Sequence, residues 1–328
     1  MKLSIIIPVY NVEPYVGQTL DSIFGTTASP DEFEVIVVND GTKDASMDVV
    51  RRYSGRPNLK ILEQENQGLS AARMNGVSIA QGDYVWFIDS DDWLVEDGVG
   101  KVLRLLGERP DVDVLMFPLK RIIEADPSRN HLDYQYSGEV RVTGIEVMRD
   151  LKLYVWCAQR YVFKCSLMGS PWLFFPLGRL HEDEYFGPVL LCLANRVSVF
   201  DYPVYMHLIR PGSIMTTLNV RSSYDIVAVH RLLIKFMKKN LPASEWSWFR
   251  EQCMDQLETS YSYNKRYFGT PEFKRFSRRE GFYVWRQWKT VHRDRSMRNK
   301  MGRLFYYLFP VRRKKYSDYM RRRPGKES

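Results

Sequence analysis

Four short apolar segments alternate with helix-forming stretches in the first 90 residues, and this alternation restricts the fold more than any other feature of the chain. The segments are Leu3–Val9, Phe33–Val38, the weaker Leu59–Leu62, and Tyr84–Ile88. Because the three stronger segments are apolar at nearly every position, they are typical of parallel strands that are buried on both faces. A β-α-β-α-β-α-β order of this kind predicts a doubly wound α/β sheet.

The remaining elements are predicted from the spacing of apolar residues. We expect helices at about 12–24, 45–53, 70–80, 142–153 and 182–195, strands at 112–117 and 197–200, a polar loop or hairpin at 122–136, and a helical pattern from 222 onward. These elements divide the chain into four regions, 1–110, 111–220, 221–294 and 295–328. The first two are expected to share the sheet, and the third is expected to be mainly helical.

Positive charge is concentrated at the end of the chain. The whole chain has 48 Lys and Arg residues against 39 Asp and Glu, a net charge of +9. Residues 286–328 hold 15 of these cations and 3 of the acids, which leaves 33 cations and 36 acids for residues 1–285. Apolar residues are interleaved with the cations from residue 295 onward, and this predicts a basic amphipathic tail.

Composition excludes several classes of protein. A chain of 328 residues with 45% hydrophobic content is long enough to bury a substantial core. We find no signal-peptide pattern and no apolar run near the roughly 20 residues that cross a bilayer, so a cytoplasmic protein, soluble or peripheral, is expected. The four cysteines lack metal-ligand spacing, which favours reduced thiols over zinc or disulfides.

A cluster of carboxylates, Asp89-Ser90-Asp91-Asp92, follows the fourth apolar segment. Side chains two positions apart on an extended strand point to the same side, so Asp89 and Asp91 can converge on one point. Two carboxylates suit Mg²⁺ or Mn²⁺ that carries a phosphate group. The alternative is that Asp92 or Asp97 caps the helix expected near residue 95. Acids this close repel each other unless a cation lies among them, which favours the metal site.

Four motifs stand in order along the first 92 residues, at Ser4–Asn11, Val37–Asp44, Asn66–Gly76 and Asp89–Asp92. Together they resemble the nucleotide-binding domain of the family 2 glycosyltransferases, strongly over residues 1–120 and more loosely to about 215. The resemblance implies a GT-A-type doubly wound, mostly parallel sheet with flanking helices. Region 1–110 would then bind a nucleotide sugar, and region 111–220 would bind the acceptor.

The resemblance assigns Pro8, Tyr10 and Asp40 to the nucleotide base. In this assignment the ring of Tyr10 stacks on the base and Asp40 accepts the imide proton of uracil. Structural roles are also open, because Pro8 can end a strand and Asp40 can form the turn before Gly41. The family usually has two adjacent acids at this turn, and here the first is replaced by Asn39.

The third and fourth motifs imply a site for the diphosphate. The Gly68 loop opens a helix whose positive end, together with Arg73, is expected beside the diphosphate. For Arg73 taken alone, the alternative is an exposed residue on a surface helix. The resemblance makes Asp91 the direct metal ligand and Asp89 the partner of the ribose or of a metal-bound water. The expected cofactor is Mn²⁺ or Mg²⁺, which stabilises the leaving diphosphate.

The second region is expected to supply a base that deprotonates the acceptor hydroxyl. His181-Glu182-Asp183-Glu184 precedes an apolar run and resembles the family's Glu-Asp element. We assign the base to Asp183, with Glu182 as its rival. Neighbouring acids raise one another's pKa, which helps a base that works near neutral pH. The alternative is that these acids only stabilise the first turn of a helix.

The segment Tyr205–Ile214 resembles the family's loop that closes over the diphosphate. Arg210 and Ser213 are candidates for contacts to phosphate. His207 is a candidate metal ligand, and the alternative is a packed or hydrogen-bonded histidine.

The resemblance as a whole implies a metal-dependent inverting glycosyltransferase that moves a sugar from a nucleotide diphosphate, expected to be UDP, to a hydroxyl of a glycan or lipid-linked saccharide. The tail is expected to hold the enzyme at the anionic inner face of the cell membrane, with roughly 1 kcal/mol from each cation. A solvated tail is the alternative, and nucleic acid is not the expected partner. The alternative function is a non-catalytic nucleotide- or nucleic-acid-binding protein. A nucleotidyltransferase is disfavoured because residues 10–15 form no Gly-rich basic loop.

Overall fold

The computed structural model describes residues 1–253 except 135–137, 154–155 and 211–219, together with separate positions between 257 and 287. The chain divides into two compact units, Met1–Thr216 and Thr217–Ser328. Ser213 and the basic tail at 295–328 lie outside the described residues.

The described part of the first unit contains two sheets and their flanking helices. The strands are β1 (Leu3–Val9), β2 (Phe33–Asp40), β3 (Leu59–Gln64), β4 (Tyr84–Phe87), β5 (Trp93–Leu94), β6 (Val114–Met116), β7 (Leu119–Ile123), β8 (His131–Leu132), β9 (Val140–Val142), β10 (Tyr161–Lys164), β11 (Val197–Val199) and β12 (Tyr205–Ile209). The helices are α1 (Val16–Phe24), α2 (Ser46–Arg51), α3 (Leu69–Ser78), α4 (Gly98–Glu108), α5 (Gly144–Arg149) and α6 (Asp183–Leu193).

The larger sheet is wound in both directions from β1. This strand pairs in parallel with β2 on one side and with β4 on the other, and β2 pairs in parallel with β3. The direction of winding therefore changes between β1 and β4. Ligands of doubly wound sheets bind outside the carboxyl ends of the strands at such a point. Tyr10, Asp40 and Asp89 all lie at this edge of the sheet, as predicted.

Beyond β4 the larger sheet contains antiparallel strands. Its full order is β3-β2-β1-β4-β10-β6-β11-β9. β10 runs antiparallel to both β4 and β6, and β9 runs antiparallel to β11. The predicted α/β class with a mostly parallel sheet is confirmed, whereas β9 and β10 were not predicted.

A smaller sheet has the order β5-β12-β7-β8. β12 pairs antiparallel with β5 and in parallel with β7, and β7 pairs antiparallel with β8. The β7–β8 pair is a hairpin, as predicted for this part of the chain. Because β5 directly follows the acidic cluster at 89–92, its pairing with β12 brings residues 205–210 to that cluster.

The first helix begins later than the sequence predicts. It was expected from about residue 12, and α1 begins at Val16. The reason is that Asn11 has a positive φ of 53°, and that the N–H groups of Val12 and Glu13 donate to Ser46 at the start of α2 and to Asp44 in the loop before it. The contact between the segments that follow β1 and β2 lies at the edge of the sheet where a ligand is expected to bind.

Helix α3 lies unusually close to the sheet. A Cβ atom on Gly76 would come within 2.4 Å of a methyl group of Ile6 in β1. Every residue of β1 is buried, so this contact fixes α3 on a rigid support. The start of α3, and with it the Gly68 loop, is thereby held at the edge where the site lies.

The second unit contains α7 (Val220–Asn240), in agreement with the helical pattern predicted from residue 222. Among the helices that the structure describes, none has the length and apolar character needed to cross a membrane.

Candidate active site

The loops after β1 and β2 form one hydrogen-bonded unit. The N–H group of Val12 donates to Ser46 Oγ over 3.0 Å. The N–H group of Glu13 donates to Asp44 Oδ2 over 2.9 Å. Burial opposes ionisation of Asp44, but hydrogen bonds led by that from Ser46 outweigh it and lower the pKa of Asp44 to about 2. In these two bonded segments Tyr10 has 42% of its surface exposed, which leaves its ring available for stacking.

The buried carboxylate of Asp40 organises the Gly68 loop. Its Oδ1 accepts hydrogen bonds from Gln64 Nε2 and from the N–H of Gln67, each over 2.7 Å. Its Oδ2 accepts from the N–H of Gly68 over 2.9 Å. Gly68 has a φ of 86°, a conformation that favours glycine. The hydrogen bonds of Asp40 therefore fix the conformation of this loop. Its contact with a nucleotide base stays a prediction.

Arg73 on α3 is almost completely buried, with 2% of its side chain exposed. Its Nη2 lies 2.8 Å from Asp89 Oδ1, and its Nη1 lies 2.8 Å from Glu182 Oε1. The rings of Phe87 and Phe175 flank the guanidinium at 5.8 and 5.1 Å. Burial opposes the positive charge, but the two carboxylates outweigh it and raise the pKa of Arg73. One charged side chain thus joins the end of β4 to the start of α6.

Asp91 pairs with the predicted phosphate-binding residue Arg210. Its Oδ2 lies 2.8 Å from Nη2 and 3.0 Å from Nε of Arg210, and this guanidinium lies 4.5 Å from the centre of the Tyr15 ring. Burial and then the charges of Asp92 and Asp89 raise the pKa of Asp91 to about 6. Burial and the two neighbouring acids thus outweigh the charge of Arg210 at this carboxylate, and a further cation there would be stabilised.

Asp92 connects the acidic cluster to β12. Its side chain is fully buried, and its Oδ2 accepts a hydrogen bond from the Tyr205 hydroxyl over 2.6 Å. His207 Nδ1 lies 3.0 Å from the same oxygen, and the N–H of Leu208 donates to Oδ1 over 2.7 Å. Asp92 is therefore not a helix cap, whereas Asp97 occupies the N-cap position of α4 without a side-chain hydrogen bond to the helix.

The two candidates for the base lie at the start of α6. Glu182 is 8% exposed and is paired with Arg73, whereas Asp183 is less buried. Burial, followed by the negative charge of Glu182, raises the pKa of Asp183 to about 7. Burial also raises the pKa of Glu182, against the charge of Arg73. Asp183 can therefore gain and lose a proton near neutral pH, as a general base must.

Asp91 and His207 have the chemistry that fits a divalent cation. Because Asp92 lies against Nδ1 of His207, Nε2 is left as the ligand atom, which is a common arrangement for metal-binding histidines. Asp89 fits less well, since both of its oxygens bond to other side chains. Within the described ranges, no three His, Cys, Asp or Glu side chains form a metal cluster. A cation here would need phosphate oxygens to complete its coordination.

Gln159 and Tyr205 belong to the site but were not predicted. Gln159 Nε2 donates to Asp89 Oδ2, and the Tyr205 hydroxyl accepts a hydrogen bond from the N–H of Asp89 over 3.0 Å. Gln159 lies in a short turn before the unpredicted strand β10, so no motif marks it. Residues 205–214 were expected to form a loop, whereas 205–209 form strand β12, on which Tyr205 lies two positions before His207 and so faces the same side.

The chain has relatives among sugar-transferring proteins. Residues 4–162 match the family model described as glycosyl transferase family 2. The Bacillus subtilis protein EpsH is 29% identical over 250 residues, covering 74% of this chain and 71% of EpsH. The poly(ribitol-phosphate) beta-N-acetylglucosaminyltransferase TarS of Staphylococcus aureus is 27% identical over 237 residues, covering 71% of this chain but only 40% of TarS.

Solved structures share the fold. The crystal structure of TarS 1–349 in complex with UDP-GlcNAc has a TM-score of 0.62 at 20% identity, covering 80% of this chain and 84% of that one. The mannosyltransferase PcManGT from Pyrobaculum calidifontis, in complex with GDP-Man and Mn²⁺, has a TM-score of 0.52 at 18% identity, covering 88% of this chain and 83% of that one. At such identities the likeness concerns the fold alone.

The doubly wound, mostly parallel sheet and its flanking helices match these structures in fold, which is of the GT-A type. The family match is more specific. Residues 4–162 match glycosyl transferase family 2, and the resemblance expected from the four sequence motifs is confirmed.

Proposed function

We propose that this chain is a metal-dependent inverting glycosyltransferase that moves a sugar from a UDP-sugar to a hydroxyl group of a glycan or lipid-linked saccharide. The observation that carries the proposal is that Arg73 binds Asp89 and Glu182 at once. Two acidic motifs far apart in the sequence therefore meet in one place. A single displacement at the sugar needs both a stabilised leaving group and a base, and these motifs suit the two tasks.

The donor would bind along the edge formed by the first 90 residues. The half-exposed ring of Tyr10 offers a stacking surface for the base, and the N-terminus of α3 offers a positive end for the diphosphate. UDP is the proposed nucleotide because the TarS structure of the same fold binds UDP-GlcNAc. The identity of the transferred sugar is left to the screen described below.

Asp91 and His207 are proposed to hold Mn²⁺ or Mg²⁺, and PcManGT, which has the same fold, binds Mn²⁺. The bound cation would neutralise the charge that develops on the leaving diphosphate. Arg210 pairs with Asp91, so it is already placed to contact a phosphate beside that carboxylate. Ser213 remains a proposed phosphate contact from the sequence alone.

Asp183 is proposed as the base that removes the proton of the acceptor hydroxyl. Glu182 is less suited to this role, because its carboxylate is paired with Arg73 and because Glu182 is more buried than Asp183. The raised pKa of Asp183, about 7, matches a base that works near neutral pH. Because the acceptor attacks the sugar directly, no protein nucleophile is needed, and the configuration at the sugar would be inverted.

A polymer or lipid-linked saccharide of the cell surface is proposed as the acceptor. TarS acts on poly(ribitol-phosphate), as its name states, and is 27% identical to this chain over 237 residues. Region 111–220 would supply the acceptor pocket.

A screen of nucleotide sugars by thermal unfolding tests the proposal. Ligand that binds only the folded chain at 100 times its Kd should stabilise it by about 2.7 kcal/mol. We expect one UDP-sugar to raise the melting temperature in the presence of Mn²⁺ and less so with EDTA, and the same compound to release UDP on incubation. Absence of any response to nucleotide sugars, with or without Mn²⁺, would contradict the proposal and favour a non-catalytic protein.

Membrane attachment through the basic tail is proposed from the sequence alone, because a surplus of cations interleaved with apolar residues binds anionic lipid. The full chain should sediment with anionic vesicles at low salt. A chain shortened by residues 295–328 should stay in the supernatant, and equal sedimentation of the two would refute the idea.

A further inference from the structure

The surroundings of Arg73 carry an inference that deepens the proposed function and rests on it. We propose that Arg73 is a positioning residue for the base Asp183, which holds the donor and acceptor halves of the site together, and that it is not a ligand of the diphosphate.

Burial argues against a diphosphate contact. Only 2% of the Arg73 side chain is exposed, and the rings of Phe87 and Phe175 flank it. Nη2 donates to Asp89 and Nη1 donates to Glu182, each over 2.8 Å, and Nε is buried without a hydrogen-bond partner. A diphosphate would have to displace two carboxylates from their buried counterion, which leaves those acids unpaired in a poorly solvated place.

The contact with Glu182 fixes the start of α6. The carbonyl oxygen of Glu182 accepts hydrogen bonds from the N–H groups of Tyr185 and Phe186, over 3.2 and 3.1 Å, so this residue carries the first turn of the helix. Asp183 is its immediate neighbour. Arg73 lies on α3, which packs closely on β1, so its contact with Glu182 is the charged link that sets the base relative to the donor edge, beside the packing of Phe186 against Phe87.

The same contact favours the charged form of Glu182 beside the base, although burial raises the pKa of Glu182 overall. The charged groups that act on Asp183 are Glu182, Arg73 and Asp89, and Asp183 acts in turn on the Tyr161 hydroxyl and the Cys157 thiol. After burial, the charge of Glu182 is the main cause that raises the pKa of Asp183. Removing this charge without changing the shape of the side chain should therefore lower the pKa of the base.

The first experiment compares Arg73→Lys with the wild type. Lysine keeps the charge but, as a point charge on a flexible stem, does not bridge two carboxylates in a fixed geometry. We expect kcat for UDP release from the UDP-sugar found in the screen to fall by roughly 100-fold, the range of a displaced general base. UDP affinity by calorimetry should stay within about threefold, since the diphosphate contacts other groups. Arg104→Lys, on the exposed face of α4, is the matched control and should change neither value.

The second experiment uses Glu182→Gln, which keeps an oxygen for Arg73 to bind. We expect the acid limb of the pH–rate profile to move down by roughly one pH unit, because one of two neighbouring negative charges is lost. A purely structural role of Glu182 would reduce activity without moving the limb. If the melting curve of Arg73→Lys shows that this variant does not fold, Glu182→Gln still tests whether the Arg73–Glu182 pair acts on the base.

Two outcomes would overturn the inference. If Arg73→Lys weakens UDP binding as strongly as turnover, Arg73 is a donor ligand. If the acid limb of Glu182→Gln stays in place, the Arg73–Glu182 pair does not act on the base. Failure of the proposed function itself would look different, because the wild-type chain would then neither bind UDP nor release it.

Discussion

The two halves of the first unit, residues 1–110 and 111–216, build their parts of the site in different ways. In the first half, Tyr10, Asp40 and Asp89 each lie at the carboxyl end of a buried parallel strand. In the second half, Asp183 begins a helix and His207 lies on a strand of a separate sheet. Backbone pairing of the strands therefore fixes the residues of the donor edge. The base is positioned by side-chain contacts between segments that are distant in the sequence.

This difference has a functional consequence. Apart from Arg73, whose contact with Glu182 acts on the base, changes in the first half should mainly affect binding of the nucleotide and its cation, and changes at the base should mainly affect turnover. Asp183→Asn and Tyr10→Ala test that separation most directly, by measuring UDP affinity and the rate of UDP release on the same protein. A loss of UDP affinity in Asp183→Asn, or a loss of turnover at saturating donor in Tyr10→Ala, would contradict this difference between the two halves.

The largest effect is expected for Asp183→Asn. Loss of a general base should reduce kcat by roughly 100- to 10,000-fold, while UDP affinity stays unchanged. Glu184→Gln is the control, because it removes an acid from the same helical turn. Retained activity in Asp183→Asn would remove this residue from its role and leave Glu182 as the candidate.

A smaller but still large effect is expected for Asp91→Asn. Loss of one of two proposed protein ligands should reduce metal affinity by roughly 10- to 100-fold or more. The measured quantity is the Mn²⁺ concentration that half-maximally stabilises the UDP complex. Asp48→Asn, in an exposed pair with Arg51, should leave it unchanged. Equal Mn²⁺ dependence in the wild type and Asp91→Asn would place the cation elsewhere.

The pH dependence of the wild type is the third prediction. Burial and then the charge of Glu182 raise the pKa of Asp183 to about 7, from 3.8 for an ordinary aspartate. The base is protonated below that pH, so kcat/KM should fall there and level off above it. Stability should respond in the opposite sense, since the contribution of a raised carboxyl pKa is present below 3.8 and is lost as the pH rises through about 7. A rate that is flat from pH 5 to 8 would contradict the assignment.

In the donor half, Tyr10→Ala should weaken UDP binding. Stacking of a base on an aromatic ring contributes about 1–3 kcal/mol, so Kd should rise by roughly 5- to 150-fold. The rate at saturating donor should change little. Tyr202→Ala is the matched control, because Tyr202 is also 42% exposed but lies in the other half. Equal UDP affinity in Tyr10→Ala and the wild type would exclude the stacking role.

The smallest effect concerns Asn39, where the family usually has an acid. Asn39 pairs with Glu63 across β2 and β3, and its Nδ2 donates to the Glu63 carboxylate. An aspartate would place a second negative charge there and should destabilise the chain by about 0.5–1 kcal/mol. Chemical denaturation of Asn39→Asp measures this, and adding Glu63→Gln should restore stability. A lack of restoration would show that the two side chains do not interact.

The first half of the fold was predictable because its signals are local. Each apolar run of β1, β2 and β4 is followed by the polar residue that the site uses, so strand ends could be read directly from the sequence. The start of α1 was misplaced because the N–H groups of Val12 and Glu13 bond to a loop more than 30 positions away, which no local pattern records.

The second half was harder to predict because its contacts are not local. β10 has only four residues, and it enters the sheet between β4 and β6. Gln159, in the turn before β10, therefore contacts Asp89 although no sequence motif marks Gln159. The burial of Arg73 between two acids follows from the same long-range packing, and its sequence context alone pointed to an exposed or phosphate-facing residue.

The hydrogen bonds of Asp92 limit how the chain can vary in length. Tyr205 and His207 both face this carboxylate because they lie two positions apart on β12, and the N–H of Leu208 completes the set. Insertion of one residue between Tyr205 and His207 would turn the histidine to the opposite face of the sheet. We therefore expect the spacing from Tyr205 to Leu208 to tolerate substitutions far better than insertions or deletions.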